Sequence, residues 1–118
     1  MWYNELMSKI DEIKEEIDLL IKNGKVEWKK HTLQRIFERA ISRYEVKQAI
    51  LNGLIIERYE DDYPFPSFLI AYINEAKPLH VLLSHDKEAQ MCYIITTYEP
   101  DRRYFQDDLL TRKNDETK

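Results

Sequence analysis

The chain is poor in the residues that build cross-linked, metal-bound or glycine-rich sites. Its 118 residues include one cysteine, Cys92, so no disulfide can form within the chain and a cysteine-rich zinc site is excluded. The two glycines, Gly24 and Gly53, are too few for a glycine-rich phosphate loop. Of the three histidines, His31 lies far from the other two, and His80 and His85 are five positions apart, so no His-x-x-x-His pair occurs. We therefore predict no metal and no cofactor.

Long hydrophobic runs are also missing. The longest, residues 68–73, is far shorter than the roughly 20 apolar residues of a membrane-spanning helix. The first residues lack the basic stretch and apolar segment of a secretory signal. We expect a cytoplasmic protein that makes no membrane contact.

The composition is that of an ordinary globular domain, with 43% hydrophobic and 34% charged residues. We expect residues 1–118 to form one domain. The net charge of −4 argues against a protein that coats nucleic acid indiscriminately. Residues 25–43, however, carry six Lys or Arg against two acids. Such a basic segment is typical either of a phosphate-contacting patch or of an ordinary solvated helix surface.

The first 24 residues predict an additional N-terminal helix, over residues 4–23 and ended by Asn23-Gly24. Its apolar residues alternate spacings of four and three: Leu6, Ile10, Ile13, Ile17 and Leu20. This stripe could dock on the protein's own sheet or pair with a second copy in a homodimer. Docking on the own core is favoured, because so short a stripe is marginal as an isolated coiled coil.

Two shorter helices follow a predicted strand at residues 25–30. The first covers residues 32–39, and its apolar face comprises Leu33, Ile36, Phe37 and Ala40. The second begins at the capping box Ser42-Arg-Tyr-Glu45 and ends at Asn52-Gly53, where glycine is expected as a helix cap.

The rest of the chain predicts strands joined by short connections. They cover residues 54–59, 67–73, 79–84 and 90–98, which indicates an antiparallel meander. Asp101 is expected to cap a short helix through about Asp107, and residues 109–118 to form a frayed tail. The predicted fold is α+β, with N-terminal helices packed on a small antiparallel sheet and residues 25–108 as the core.

His31, Arg35 and Arg39 form the first candidate site. They are spaced by four, so they share one stripe of the predicted helix, opposite its apolar face. Imidazole can transfer protons near neutral pH, and guanidinium can hold phosphate oxygens. Phosphodiester cleavage needs both functions. The same pattern also suits a solvated surface on which Glu38 pairs with either arginine.

His80 forms the second candidate, within the apolar strand Pro78-Leu-His-Val-Leu-Leu83. A hairpin tip at Lys87-Glu88 would place position 80 opposite position 95. His80 is then either a proton-transfer group or a buried histidine with a backbone partner, whereas His85 is expected to be exposed. The tyrosines Tyr59, Tyr93 and Tyr98 could stack on nucleic-acid bases or pack in the core.

Several motifs between Lys30 and Asp108 occur together. They are His31-x-x-x-Arg35-x-x-Glu38-Arg39, Ile41-Ser42, Glu45-Val46, Glu57-x-Tyr59-x-Asp61-Asp62-x-Pro64-x-Pro66-Ser67, Lys77-Pro78-Leu79-His80-Val81 and Ile95-Thr96-Thr97-Tyr98-Glu99-Pro100-Asp101. In this combination the chain resembles the bacterial domain-of-unknown-function family 4258. Ala40 departs from the family pattern, because members usually carry glycine there.

That family is similar to the RelE/ParE-like toxins of bacterial toxin–antitoxin systems. The resemblance implies a RelE/ParE-like fold and a type II toxin that is a metal-independent endoribonuclease acting on mRNA. It implies RNA as substrate and a cognate antitoxin as partner. Carried onto this chain, the catalytic positions are His31, Arg35, Arg39, His80 and Tyr98. The alternative is a non-catalytic protein-interaction module on the same fold, in which these residues stabilise the structure.

Overall fold

The computed structural model describes residues 2–113, and the side chains from residue 12 onward. Its elements are α1 (Trp2–Lys22), β1 (Val26–Trp28), α2 (Lys30–Glu38), α3 (Arg43–Asn52), β2 (Leu54–Tyr59), β3 (Ser67–Tyr72), β4 (Leu79–Asp86) and β5 (Met91–Tyr98). The predicted α+β class is confirmed. No helix in this part of the chain is long and apolar enough to span a bilayer.

The strands form one five-stranded sheet in the order β1-β5-β4-β3-β2. The predicted antiparallel meander is present, because β2, β3 and β4 each pair with the next strand along the chain. β1 makes the sheet mixed, since it runs parallel to β5 with Val26 opposite Cys92 and Trp28 opposite Ile94. A parallel neighbour requires a long connection, and here two helices and three strands lie between the two partners.

One face of the sheet is covered by α1 and α3. From the helices, Ile17 and Ile50 enter the core, and Ile70 and Val81 meet them from the sheet. Docking of α1 on the protein's own core is confirmed for its C-terminal half. Leu6 and Ile10, the other predicted members of its stripe, lie outside the residues whose side chains the structure describes.

The predicted apolar face of α2 is partly wrong. Thr32 and Ile36 are buried and Leu33 is half-buried, whereas Phe37 is 84% exposed and Ala40 is exposed. The hydroxyl of Thr32 donates to the carbonyl oxygens of Ile94 and Ile95 at 3.3 and 3.2 Å. This hydrogen bonding rotates α2 so that Thr32, a polar residue, faces β5 and Phe37 points outward.

Ala40 follows α2 with φ of 57°, in the left-handed region that disfavours residues with a Cβ. We expect Ala40→Gly to raise the free energy of unfolding by about 0.5–1 kcal/mol, because relief of strain exceeds the added entropy of the unfolded chain. Urea denaturation measures the change. Ala89→Gly, at an exposed position outside the left-handed region, serves as the control and is expected to destabilise. A stability loss in both variants would contradict strain at Ala40.

The capping box that starts α3 is confirmed. The backbone N–H of Glu45 donates to the hydroxyl oxygen of Ser42. In return, the backbone N–H of Ser42 donates to the carboxylate of Glu45. Gly53 ends α3 in an extended conformation, with φ of −93°, rather than as a left-handed cap. The left-handed helix-ending glycine is Gly24, with φ of 73°.

After β5, the predicted helix from Asp101 to Asp107 is not formed. The backbone N–H groups of Tyr104 and Phe105 donate to the Asp101 carbonyl in a single turn, and an isolated bridge then joins Phe105 to Arg112. Phe105 and Leu109 are buried. Residues 101–113, hereafter the C-terminal segment, therefore contact the rest of the domain as far as Arg112, which pairs with Glu57. The predicted frayed tail is thus wrong for residues 109–112, and its end lies outside the described residues.

Candidate functional site

His31 is presented to solvent by the start of α2. Thr32, the next residue, ties this first turn to β5 through its hydroxyl, so the position of His31 relative to the sheet is fixed. The side chain of His31 is exposed, and it forms no hydrogen bond or ion pair with any residue in the described part of the chain. Its imidazole is available to a ligand.

His31 lines a cavity of about 350 Å³ beside β5. The other lining residues are Glu27, Lys29, Pro64, Phe65, Ser84, Tyr93, Ile94 and Ile95. The rings of Phe65 and Tyr93 stack with centroids 5.6 Å apart and planes 13° apart. Desolvation, followed by the carboxylates of Asp86 and Glu27, raises the pKa of Tyr93, so its hydroxyl keeps its proton. The cavity thus combines an imidazole, an ammonium group, a hydroxyl donor and an aromatic surface.

Arg35 and Arg39 continue along α2 from His31, and both are exposed. Arg39 ends the helix, and its Nη1 donates to the Thr97 carbonyl oxygen at 2.7 Å and to Thr96 Oγ1 at 3.4 Å. Arg35 has no hydrogen-bonded partner among the described residues. Arg39 is therefore anchored to β5, whereas Arg35 is unpaired among the described residues.

The pairing of β4 with β5 differs from the predicted register. His80 lies opposite Tyr98 rather than Ile95, a shift of three residues. The hairpin is centred on Glu88-Ala89, with Asp86 opposite Met91, which accounts for two of them. An irregularity between Leu82 and Leu83 places an extra residue in β5 and accounts for the third. The rings of His80 and Tyr98 are in contact, with centroids 5.5 Å apart. Thr97 donates its hydroxyl proton to the His80 carbonyl oxygen, which further fixes the register.

His80 is fully buried, at 0% exposure. The ring of Phe105 meets it edge-on at 4.5 Å, and Nε2 lies 2.7 Å from the carbonyl oxygen of Leu109. Burial lowers the pKa of His80, so the ring is neutral near pH 7. Nε2–H must then be the donor to Leu109, which leaves Nδ1 as a lone pair without a partner in the described structure. In this conformation His80 cannot reach a substrate.

The prediction that His85 is exposed is wrong. Only 5% of its side chain is accessible, and Nε2 lies 3.8 Å from Glu16 of α1. Burial lowers its pKa, whereas Glu16 acts in the opposite direction. The α1 helix covers this end of β4, which the hairpin position of His85 does not indicate.

Comparison with family models identifies the domain. Residues 28–99 match the model described as Domain of unknown function (DUF4258). The chain belongs to the DUF4258 family. No curated protein and no solved structure matches it.

The DUF4258 match includes all five predicted site residues, and the structure divides them between two places. His31 lines the cavity beside Tyr93, with Arg35 next along α2, whereas His80 and Tyr98 lie in contact under the C-terminal segment. Arg39 belongs to neither place: its guanidinium donates to the carbonyl oxygen of Thr97 on β5. The five side chains do not converge on one cavity of the described structure.

Both places nevertheless lie on the same face of the sheet, opposite α1 and α3. Ser84 pairs with Tyr93 and His80 pairs with Tyr98, and alternate residues of β4 share a face. Tyr93 and Tyr98 are about 16 Å apart along β5, at about 3.3 Å per residue. We call this surface the open sheet face.

The sequence does not predict an ion pair of this DUF4258 chain, between Glu57 and Arg112. Nε and Nη2 of Arg112 donate to the two carboxylate oxygens of Glu57, each at 3.0 Å, and the hydroxyl of Tyr59 donates to the same carboxylate. This pairing lowers the pKa of Glu57, with Arg112 as the largest cause. The two residues are 55 positions apart and Arg112 lies in the predicted frayed tail, so no local pattern could pair them.

The described residues offer little to a metal ion. No three His, Cys, Asp or Glu side chains between residues 12 and 113 lie close enough together to bind one. Cys92 is buried, and burial raises the pKa of its thiol to about 12, so it is inert as a nucleophile.

Proposed function

We propose that this DUF4258 protein is the toxin of a type II toxin–antitoxin system and acts as a metal-independent endoribonuclease on mRNA. The similarity of the family to RelE/ParE-like toxins motivates the class of protein. The exposed imidazole of His31, in a cavity with Lys29 and the stacked Phe65–Tyr93 pair, supports the chemistry.

The cavity suits a single-stranded RNA because it offers groups that can contact the base and the phosphate of a nucleotide. A base can stack on the aromatic pair, as bases do in single-strand-binding proteins. The ammonium of Lys29 and the hydroxyl of Tyr93 can donate to phosphate oxygens. The six basic residues between positions 25 and 43 give this edge of an acidic chain a local positive charge.

In the proposed reaction His31 acts on the ribose 2′-hydroxyl. As base, it accepts the hydroxyl proton while O2′ forms a bond to phosphorus, and the bond from phosphorus to the 5′ oxygen of the next nucleotide breaks. That oxygen takes a proton from water as it leaves, and the hydroxide so formed is neutralised by the proton that His31 accepted. The products are a 2′,3′-cyclic phosphate and a free 5′-hydroxyl. Lys29 and Arg35 stabilise the negative charge that develops on the phosphorane.

The alternative function is a non-catalytic interaction module. The 84% exposure of Phe37 on α2 favours it, because a large exposed aromatic side chain is a common anchor of protein interfaces. The same surface would serve a toxin as the contact with its cognate antitoxin. An RNA cleavage assay separates the two functions, since a module that only binds protein leaves RNA intact.

We expect His31→Ala to reduce RNA cleavage by about 100-fold or more, because it removes the proton acceptor. The measurement follows a labelled single-stranded RNA in EDTA, both free and as mRNA on translating ribosomes. Thermal unfolding should change little, since the side chain is exposed. Arg35→Ala should reduce cleavage by about tenfold or more.

The matched control is Gln34→Ala, at an exposed position of the same helix, which should cleave at the wild-type rate. A substrate whose cleavage-site 2′-hydroxyl is replaced by hydrogen should not be cut. Intact RNA in every assay of the wild-type protein would contradict the ribonuclease, and equal rates for wild type and His31→Ala would remove His31 from the mechanism.

A further inference from the structure

The C-terminal segment covers one end of the open sheet face. Phe105 packs edge-on against His80, and the Leu109 carbonyl accepts its Nε2–H. Tyr98 lies under the same segment, between a cavity of about 290 Å³ and another of about 250 Å³. Tyr98 and Arg112 line both cavities, so the two cavities adjoin at these side chains.

Near its C-terminal end, the segment is held to the sheet by a polar contact. The bidentate pair Arg112–Glu57 holds it to β2, while Arg112 also lies over the Phe105 ring at 4.8 Å. The backbone N–H groups of the segment that form hydrogen bonds donate within it: that of Gln106 donates to the Thr111 carbonyl oxygen, and that of Lys113 to the Tyr104 carbonyl oxygen. The segment can therefore leave the sheet without breaking a backbone-to-backbone hydrogen bond to a strand, and once it has left, its own turn can loosen so that these amides exchange.

The residue that caps His80 is itself strained. Leu109 has φ of 61°, a left-handed conformation that a residue with a branched side chain rarely adopts. The covered state holds Leu109 in this conformation while its carbonyl meets His80. Release of the segment allows this backbone to relax, which favours opening.

The boundary of the family match gives an independent observation. The match ends at residue 99, immediately after β5, whereas the covering segment begins at residue 101. The sheet residues beneath it, His80 and Tyr98, are within the match. The covered residues thus belong to the part of the chain that the family model matches, and the covering segment follows it.

We propose that the C-terminal segment is an opening cover, latched by the Arg112–Glu57 ion pair, over a second RNA-contacting region formed by Tyr98 and His80. Opening joins the two cavities and exposes the Tyr98 ring for base stacking. It also frees Nε2 of His80 from the Leu109 carbonyl oxygen. Only the RNA contact rests on the proposed function, because the opening itself is a property of the fold.

Amide hydrogen exchange measures the opening in two latch variants, Arg112→Gln and Glu57→Gln. We expect the amides of Gln106 and Lys113 to exchange about fivefold faster in both, because a partly exposed ion pair has been removed. The amides of β3 and β4 should be unaffected. Arg103→Gln is the matched control: it lies in the same segment, but its partner Asp101, at 2.7 Å, belongs to that segment too.

Two exchange results would overturn the cover. In one, Gln106 and Lys113 exchange in the wild type only as fast as β3 and β4, so the segment opens only with the whole domain. In the other, both latch variants accelerate the whole sheet equally, so the segment is an integral part of the core.

RNA cleavage then tests the contact. We expect Glu57→Gln, which retains the arginine, to raise cleavage about fivefold while Arg103→Gln leaves it unchanged. If Glu57→Gln exchanges faster but cleaves RNA more slowly, the closed segment does not obstruct RNA, contrary to the proposal. If exchange responds as expected but no protein cleaves RNA, the opening cover stands and the proposed function fails.

Discussion

Gly53→Ala is expected to lower the free energy of unfolding by about 3 kcal/mol. A Cβ at this position would lie 2.5 Å from the Ala49 carbonyl oxygen, 2.6 Å from that of Ala71 and 2.9 Å from Cγ2 of Ile70. The two oxygens belong to the backbones of α3 and β3, and neither can move without disturbing its element. The close approach of this helix to the sheet therefore requires glycine.

Gly24→Ala is the matched control, because it adds the same methyl group where the backbone conformation, and not the available space, disfavours it. No atom lies within 4 Å of the position that a Cβ would take at Gly24, but its φ of 73° is left-handed. We expect a loss of about 1 kcal/mol. Chemical denaturation of both variants measures the difference. Equal losses would show that Gly53 is needed only for its backbone conformation, contrary to the packing argument.

These glycines illustrate what a local pattern can predict. Both follow an asparagine at the end of a helical periodicity, so the pattern predicts a helix cap at each. The prediction is confirmed at both: Gly24 follows α1 in the left-handed conformation, and Gly53 is the C-cap of α3 in an extended one. The sequence marks the end of α3 but does not indicate that β3 passes against it.

The same distinction separates the predicted from the unpredicted parts of the fold. The helices and the meander follow from periodicity and short connections, which are local properties. The parallel pairing of β1 with β5 joins residues more than 60 positions apart, such as Val26 and Cys92. The rotation of α2 depends on the buried hydroxyl of Thr32, a polar residue that a hydrophobic pattern excludes from the core.

The candidate site is predictable where its members lie on one element. His31 and Arg35 are four residues apart on α2, and the spacing alone places them on one exposed stripe. Phe65 and Tyr93 reach the His31 cavity from a loop and from β5, so only the tertiary structure shows them. The burial of His80 depends on Phe105 and Leu109, which the sequence pattern assigns to a short helix and a tail.

The pH dependence of stability should reveal His80 directly. Its pKa is lowered in the folded protein, mainly by burial, while the unfolded chain titrates near the ordinary value of 6.5. Between these two pH values the unfolded state binds more protons, so the stabilisation is complete above pH 6.5 and is lost as pH falls toward the folded-state pKa. Each such histidine contributes a slope of up to about 1.4 kcal/mol per pH unit.

His80 and His85 both contribute in this window, because burial lowers both pKa values. Glu57 faces His80 and favours its charged form, whereas Arg112 opposes it. The lowered pKa of Glu57 affects stability only as pH falls below its ordinary value of 4.5, so its contribution lies in a separate, more acidic window. Denaturation between pH 7.5 and 5.5 at constant ionic strength therefore measures the histidines.

His80→Gln retains an N–H donor for the Leu109 carbonyl but cannot titrate, so we expect the slope between pH 7.5 and 5.5 to fall by about half. His80→Ala also removes the donor and leaves a cavity under Phe105, and should lower stability at pH 7.5 by about 3 kcal/mol. An unchanged slope in His80→Gln would contradict the burial of a neutral imidazole. The pH at which this loss of stability ends in the wild type, near the folded-state pKa of His80, thus reports how firmly the C-terminal segment excludes water from the ring.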